Sequence, residues 1–304
     1  MKASIQNSAV QTSPALWLLN RINDYLLLSK PRVTLLVWLT TLLGMLFAVK
    51  LTGIRADSAL IFHTLLGSWL VIASANALNQ VFEAPYDAKM ERTASRPVPA
   101  GRVLMIEALI LACVWGTLGI IQLTIFVNHL TALLGLVSIL IYAFGYTPLK
   151  RSTHLCTVVG AIPGAIPPLA GWVAITGSFN APGLLLFVLQ FFWQFPHFWA
   201  IAWILRNDYS KVGFKMLPFA NADGYATATC ALWYSTALLP LSLVGVIFVN
   251  NRFMFITGAL LLYGMILWAT LKFKSSASDS SAKILLKTTL LYIPLLLFLF
   301  VICV

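Results

Sequence analysis

The sequence predicts an all-α, polytopic membrane protein with about nine transmembrane helices. Of its 304 residues, 60% are hydrophobic and only 10% are charged, whereas a soluble domain carries about 25% charged residues. Apolar runs of roughly 18 to 25 residues recur along the chain, and each is long enough to cross a bilayer as a helix. The charged residues fall mainly in the short segments between these runs. We therefore expect one helical bundle in a membrane.

Residues 1–30 precede the first apolar run and are polar and mixed in character. They lack the short apolar core and the small-residue cleavage site of a signal peptide. They predict a cytoplasmic N-terminal segment, followed by a single transmembrane domain over residues 31–304. The predicted spans of that domain are 32–50, 58–82, 103–124, 130–147, 155–175, 183–205, 225–249, 253–272 and 284–304.

Three segments have features beyond apolar length. The fifth span contains GAIPGAIPPLAGWVA over residues 160–174, and its Gly and Pro residues predict a bent helix that lines a cavity. The sixth span contains the aromatic run QFFWQFPHFWAIAW. Between the last two spans, the Ser-rich run KFKSSASDSSAK predicts a flexible linker.

Lysine and arginine are distributed unevenly between the two ends of the predicted bundle. The N-terminal segment and the loops after the second, fourth, sixth and eighth spans hold seventeen of the twenty, and the opposite side holds Lys50, Arg55 and Arg252. Because cytoplasmic loops carry the excess of these residues, the N-terminus is expected in the cytoplasm and the C-terminus on the far side. This topology also accounts for the net charge of +11, so nucleic acid is not a predicted partner.

The cysteines predict neither a disulfide nor a zinc site. Each lies singly in an apolar segment, without CxxC spacing, so packing is the expected role. They are Cys113, Cys156, Cys230 and Cys303.

Residues 76–102, NALNQVFEAPYDAKMERTASRPVPAGR, carry three of the nine acidic residues and four of the twenty basic ones, and apolar runs flank them on both sides. Asn79, Glu83 and Asp87 fall at i, i+4 and i+8, which places three oxygen-bearing side chains on one face of a helix. Ionisable groups at a membrane boundary are costly and usually functional, and Mg²⁺ is served by a few carboxylates with phosphate oxygens. This spacing predicts a metal-diphosphate site. Pro85 predicts a bend or unwinding before Asp87.

Basic residues surround this motif. Arg92 and Arg96 follow it directly, and Lys150 and Arg151 follow the fourth span in YTPLKRST. Arginine forks match phosphate oxygens in pairs, which favours anion contact for at least one arginine. Each cation alone is equally compatible with a role in setting topology.

Two further residues have two interpretations each. Asp208 directly follows the sixth span in RNDYSKVGFK, and it is either a second metal ligand or a solvated helix end. His197 lies within the aromatic sixth span. A buried imidazole there either hydrogen-bonds a neighbouring helix, or binds haem iron or moves a proton.

Taken together, these motifs resemble the UbiA-like intramembrane prenyltransferases and, within them, the protohaem IX farnesyltransferase (haem O synthase) family. The first motif has the form N-x-x-x-E-x-x-x-D followed by M-x-R-T-x-x-R-P. YTPLKRST, GAIPGAIPPLAGW, QFPHFWAIAW and DYSKVGFKMLP are similar to that family's further signatures, in the same order. The resemblance covers nearly the whole chain except the first 20 or so residues.

The resemblance implies nine helices around a central cavity open to the bilayer, and makes residues 31–304 one prenyltransferase domain. It implies Mg²⁺-dependent transfer of a farnesyl group from farnesyl diphosphate to a vinyl group of haem B, giving haem O for haem-copper respiratory oxidases. By position, Asn79, Glu83 and Asp87 would hold Mg²⁺ and diphosphate. Arg92, Arg96, Lys150 and Arg151 would neutralise the diphosphate, Asp208 would stand at the second acidic motif, and His197 would contact haem.

The second motif departs from the D-x-x-x-D of many prenyltransferases of this fold. Asp208 is followed four residues later by Val212, which puts the ligands of a second metal in doubt. Lys211 and Lys215 are expected to supply charge there instead.

Two other classes of function stay open at the level of sequence. The first is a sister prenyltransferase acting on a quinone precursor or another aromatic acceptor. The second is a polytopic transporter or a non-catalytic assembly factor for respiratory oxidases. Transporters place polar groups near the bilayer midplane, whereas the acids here gather at one surface. The absence of a transit peptide favours a bacterial inner membrane, and a haem-handling or oxidase-assembly partner is left open.

Overall fold

Long apolar segments become helices in a membrane because a helix satisfies its own backbone hydrogen bonds. The structure, a computed structural model, describes residues 14–220 and 222–304. Within those residues nine helices are long and apolar enough to span a membrane, which confirms the predicted fold class and number. The first 13 residues of the predicted N-terminal segment lie outside the described residues. They include Lys2, which was part of the topology count.

The helices follow one another with short connections. Their bounds are α1 Pro14–Leu28, α2 Pro31–Thr52, α3 Ser58–Asp87, α4 Met105–Phe126, α5 His129–Leu140, α6 Thr147–Ser152, α7 Cys156–Thr176, α8 Ala181–Ile204, α9 Arg206–Lys211, α10 Gly224–Val244, α11 Arg252–Ser276 and α12 Asp279–Cys303. A π-helical segment, Ile141–Tyr146, joins α5 to α6 without a break.

Side-chain caps define several helix starts. Asp57 accepts a hydrogen bond from the Leu60 amide at the start of α3 (2.7 Å), and Asp223 accepts one from the Ala226 amide at the start of α10 (2.7 Å). Such caps satisfy amide groups that have no partner within the helix. The polar residues between spans therefore set the helix boundaries.

Two local features differ from those predicted. Helix α3 continues through Pro85 to Asp87, so the unwinding predicted as one of two outcomes does not occur, while a bend at Pro85 stays a prediction. The Ser-rich run after the eighth span is mostly helical: α11 extends to Ser276, and Ser278 caps α12. Capping by serine explains the second difference. Serine is common in flexible linkers, but its hydroxyl can also accept a hydrogen bond from a helix amide and so stabilise the start of a helix.

Helix α7 lies at the centre of the bundle, in contact with α2, α5 and α8. A cavity of about 40 Å³ lies beside it, and Pro167 of α7 and Thr41 of α2 are among the lining residues. The Gly-Pro run thus contributes to a cavity wall, as predicted. It also permits close contact with α2: a Cβ on Gly171 would lie 2.0 Å from the Thr41 carbonyl oxygen, and one on Gly44 would lie 2.1 Å from that of Pro168.

This contact predicts a large difference between glycine positions. Gly171→Ala should destabilise the protein by about 1 to 3 kcal/mol, because the added methyl group meets backbone atoms that cannot rotate away. Gly264→Ala in α11 is the matched control, since a Cβ there has no neighbour within 4 Å. Thermal unfolding in detergent should show a lower midpoint for Gly171→Ala only. Equal midpoints would contradict the close α2–α7 contact.

Candidate active site

Three oxygen-bearing side chains lie buried near the end of α3. Asn79, Glu83 and Asp87 are each exposed by 4% or less, although two of them carry charge. Burial of a carboxylate is unfavourable unless a cation or hydrogen-bond donors compensate it. The partners of these three side chains therefore define the site.

Each carboxylate is paired with a cation from a different part of the chain. The Lys150 ammonium lies 2.6 Å from Glu83 Oε1, and Arg96 Nη1 lies 2.6 Å from Asp87 Oδ2. Asn79 completes the row, because its Oδ1 accepts from Lys30 Nζ at 3.2 Å. The structure thus brings together acids and bases that the sequence separates by up to 67 positions.

The π-helical segment positions the fourth span's contribution. Directly after it, the Thr147 hydroxyl accepts from Asn79 Nδ2 (3.1 Å) and donates to the Tyr142 carbonyl (2.9 Å). One turn later, the Lys150 ammonium lies 4.4 Å from the centre of the Tyr146 ring, in a cation–π contact. Segments of π-helix occur frequently at functional sites, and this one turns Thr147 and Lys150 toward α3.

The loop after α3 folds back over its end. The Thr93 hydroxyl donates to the Asp87 carbonyl at 3.0 Å, which places Arg96 against the Asp87 carboxylate. Arg151 contacts α3 from the other side, with its guanidinium 4.7 Å from the Tyr86 ring centre and a hydrogen bond to the Tyr86 hydroxyl. Arg92 is exposed and has no ion pair within the described residues.

Sequence reasoning missed Lys30 as a site residue and used it only to assign topology. Its backbone is left-handed, with φ of 50°, although it is not glycine and precedes Pro31. Such a conformation is unfavourable and is retained mainly where the surroundings require it. Burial lowers the pKa of the Lys30 ammonium to about 7, and repulsion from Arg96 and Lys150 adds to that effect. The Lys-Pro pair at the start of the first span was the available signal.

A cavity of about 210 Å³ adjoins these residues and is lined by Leu27, Lys30, Gln80, Ser95, Arg96 and Pro97. Two oxygens nearby in sequence, Gln80 Oε1 and Asp87 Oδ1, are buried without a hydrogen-bond partner. Buried polar atoms are normally satisfied, so each exception calls for an explanation. The two carboxylates, Glu83 and Asp87, are outnumbered by five cations, which indicates a site for an anion. The cations are Lys30, Arg92, Arg96, Lys150 and Arg151. The unpaired Asp87 oxygen indicates a further ligand.

Comparison with known proteins agrees with this geometry. The sequence model of the UbiA prenyltransferase family matches residues 37–300. The chain belongs to the UbiA prenyltransferase family. It is 38% identical over 282 residues to the protoheme IX farnesyltransferase of Koribacter versatilis, covering 90% of this chain and 91% of the relative.

Solved structures share the fold of this UbiA prenyltransferase. One, from work on digeranylgeranylglyceryl phosphate synthase in membranes, has a TM-score of 0.76 and 16% identity, covering 93% of this chain and 98% of that one. A UbiA homolog from Archaeoglobus fulgidus bound to GPP and Mg²⁺ has a TM-score of 0.52 and 18% identity. The match covers 91% of this chain and 99% of the homolog. At these identities the likeness shows the fold alone.

The ligand chemistry of the UbiA site fits a hard cation that also binds the substrate. In the described part of the chain no group of three or more His, Cys, Asp or Glu residues is placed to hold a metal. Glu83, Asp87 and the Asn79 amide offer oxygen only, and Asp87 Oδ1 has no other partner. Mg²⁺ commonly takes one or two carboxylates and completes its octahedron with water and phosphate oxygens. The residues present fit that description.

The second acidic segment forms a separate contact. Lys211 Nζ lies 3.1 Å from Asp208 Oδ1 and 2.9 Å from Glu91 Oε1, so α9 is linked to the loop after α3. Lys215 Nζ donates to the Ser152 carbonyl at 2.9 Å. These contacts do not test the predicted roles. That Asp208 binds a metal and that Lys211 binds diphosphate therefore stay predictions.

His197 makes the contact with a neighbouring helix that was one of its two interpretations. Its Nδ1 lies 2.9 Å from the Thr289 hydroxyl of α12, and its ring stacks on Trp193 with centroids 4.9 Å apart. Trp193 Nε1 donates to the Thr289 carbonyl at 2.7 Å. One ring nitrogen is therefore engaged, and the imidazole has a fixed orientation between α8 and α12.

Proposed function

We propose that this chain transfers the farnesyl group of farnesyl diphosphate to a vinyl group of haem B, forming haem O for haem-copper respiratory oxidases. The paired arrangement of Glu83 with Lys150 and Asp87 with Arg96 carries the proposal. Buried carboxylates beside an excess of cations suit a metal-bound diphosphate. The acceptor is supported by the protoheme IX farnesyltransferase relatives.

The cations take the diphosphate group. Arg96 and Lys150 exchange part of their contact with Asp87 and Glu83 for phosphate oxygens, and Lys30, Arg92 and Arg151 complete the shell. Arginine forks bind two phosphate oxygens at once, while a lysine acts as a point charge. Lys211 is placed to contribute only if α9 shifts from its contact with Glu91.

Asn79, Glu83 and Asp87 would hold Mg²⁺, with Asp208 as a candidate ligand of a second ion. When bound, Mg²⁺ neutralises charge on the leaving diphosphate. The oxygen-only donor set of Asn79, Glu83 and Asp87 and the unpaired Asp87 Oδ1 support this assignment. Lys150 and Arg96 then stabilise the negative charge that develops as the bond breaks.

The carbon chemistry is a substitution followed by hydration. The bond between farnesyl C1 and the diphosphate oxygen breaks, and its electron pair leaves with the diphosphate. The vinyl π electrons form the new bond to C1, and water captures the resulting cation and loses a proton, which gives the hydroxyethylfarnesyl group. The Tyr146 ring, whose centre lies 4.4 Å from Lys150 Nζ, presents an aromatic face beside the diphosphate-binding residues and can shelter cationic carbon from water.

We place the protein in the inner membrane of a bacterium, with the N-terminus and the site on the cytoplasmic side. The lysine and arginine distribution supports this orientation, because the site lies where α2 begins and where α3 and α6 end. Residues 1–30 then form a cytoplasmic segment, and residues 31–304 form the prenyltransferase domain. A haem-handling or oxidase-assembly partner would approach from the bilayer or from that surface.

Product identification tests the reaction. Purified protein given haem B, farnesyl diphosphate and Mg²⁺ should form haem O, detected by chromatography, mass and the pyridine haemochrome spectrum. Omission of either substrate is the control. Absence of haem O from monodisperse, folded protein would overturn the proposal, and prenylation of a quinone precursor by the same preparation would favour the aromatic-acceptor alternative.

His197 tests the acceptor site separately. His197→Ala should raise KM for haem B several-fold and leave KM for farnesyl diphosphate nearly unchanged, since the ring lies on α8 and α12 rather than beside the acids. Thr289→Val is the matched control, because it removes only the hydrogen bond that orients the ring. Unchanged haem kinetics in His197→Ala would exclude His197 from the acceptor site.

A further inference from the structure

Helix α1 carries an exposed row of apolar side chains. Leu18, Ile22 and Leu26 recur every four residues, so they share one face of the helix. They are 53%, 46% and 46% exposed. Leu19 lies beside this row and is also exposed. Residues 1–30 were predicted to be a polar cytoplasmic segment, so neither the helix nor its apolar row was predicted from the sequence.

The polar edge of α1 is fastened to the start of α4. Arg21 and Tyr25 both donate to the Glu107 carboxylate, and Arg102 Nε lies 2.9 Å from Asp24 Oδ1. Farther along, the Leu28 carbonyl accepts from Gln80 Nε2 at 3.0 Å. These contacts fix the rotation of α1 about its axis. The Leu18–Ile22–Leu26 row lies along one edge of this contact face, since Tyr25 is three residues from Ile22 and seven from Leu18, and its side chains stay exposed.

The apolar row lies on a helix that is attached to two membrane spans. Glu107, the docking residue, lies in the first turn of α4, whose neighbouring residues Leu104 and Ile106 are 64% and 59% exposed. Helix α4 is a membrane span, so these side chains meet the bilayer. Helix α1 leads through Ser29 and Lys30 directly into the membrane span α2. The row is therefore held at the level where the membrane begins.

Polar residues complete an amphipathic pattern on α1. Asn20 and Asn23 are exposed and lie on a different face from the row, which they share with the exposed Leu27. A helix with an apolar face, a polar face and low net hydrophobicity lies in the membrane interface with its apolar side chains in the boundary between headgroups and acyl chains. An exposed apolar row of this length is otherwise unfavourable in water.

We propose that α1 is an interfacial helix whose Leu18–Ile22–Leu26 row inserts into the lipid leaflet at the site end of the bundle. Its partner is the lipid surface rather than a second protein copy, because α1 is fixed to the first turn of the membrane span α4 and leads directly into the membrane span α2. Leu27 of α1 and Lys30 line the 210 Å³ cavity. Insertion of α1 therefore fixes one wall of that cavity from the membrane side. This inference does not rest on the identity of the acceptor.

Nitroxide labels on adjacent residues of α1 test the proposal. Ile22→Cys and Asn23→Cys would each be labelled in the full chain carrying Cys113→Ser and Cys230→Ser, since the remaining cysteines, Cys156 and Cys303, are buried. The protein is reconstituted into nanodiscs of phosphatidylcholine and phosphatidylglycerol. Power saturation then compares access of oxygen, which partitions into lipid, with access of a water-soluble nickel chelate.

The ratio of oxygen access to nickel access should be several-fold higher at position 22 than at position 23. Leu18→Cys and Asn20→Cys give a second matched pair, and all four positions are exposed, so the substitutions remove few contacts. Equal, high nickel access at both members of each pair would show that α1 lies in water, and would overturn the proposal. Low access of both reagents at 18 and 22 would also overturn it, because a second protein copy would then cover the row.

Discussion

Asp87→Asn is expected to lower kcat/KM for farnesyl transfer by about a hundredfold to a thousandfold, the range found when one preorganised electrostatic contact is removed from an active site. Asp87 is fully buried, its Oδ2 contacts Arg96 at 2.6 Å, and its Oδ1 has no partner. Asparagine keeps the shape but removes the charge and replaces one oxygen with a donor. The Mg²⁺ concentration needed for half-maximal rate should rise in parallel, measured with haem O formation as the readout.

Asp24→Asn is the matched control for this substitution. Asp24 is also a buried aspartate paired with an arginine, Arg102, at 2.9 Å, but it lies in α1 outside the row of oxygen ligands. Its loss should lower stability and change kcat/KM much less. Wild-type activity and wild-type Mg²⁺ dependence in Asp87→Asn would remove Asp87 from the metal site. Equal losses in the two variants would mean that the effect reports folding.

The periodic features of this chain could be predicted from sequence because they depend on local geometry. Nine apolar runs gave nine spans, since length and hydrophobicity suffice to commit a segment to the membrane. Asn79, Glu83 and Asp87 share a buried helix face because four-residue spacing fixes that face. The separation of acids and bases along the sequence gave no information about pairing, however. Which cation reaches which carboxylate depends on how α3, α6 and the loop after α3 pack together.

Backbone irregularities explain most of what the sequence did not reveal. The π-helical segment Ile141–Tyr146 rotates Lys150 toward Glu83, and no periodicity in the sequence marks such a segment. Lys30 reaches Asn79 from a left-handed residue that precedes a proline, a conformation that propensities disfavour. Helix α1 was missed because the polar residues Arg21, Asn23 and Asp24 were given more weight than its apolar residues, although these make up most of the helix and have helical spacing.

Lys150→Met should destabilise the protein by about 3 to 5 kcal/mol, the usual effect of removing one partner of a buried ion pair. The Glu83 and Lys150 side chains are only 6% and 10% exposed, and their charges lie 2.6 Å apart. Methionine keeps most of the volume of lysine, so the loss comes from the uncompensated Glu83 carboxylate rather than from a cavity. Thermal unfolding in detergent, followed by circular dichroism, measures the effect.

The double variant Glu83→Gln/Lys150→Met separates folding from catalysis. Replacing both members of a buried pair with neutral groups is often close to neutral for stability, so most of the lost thermal midpoint should return. Haem O formation should remain lost, because the double variant lacks both a metal ligand and a phosphate-binding cation. A double variant as unstable as Lys150→Met would show that charge compensation is not what the pair contributes. An active double variant would exclude Glu83 and Lys150 from the reaction, and with them the paired arrangement on which the proposed function depends.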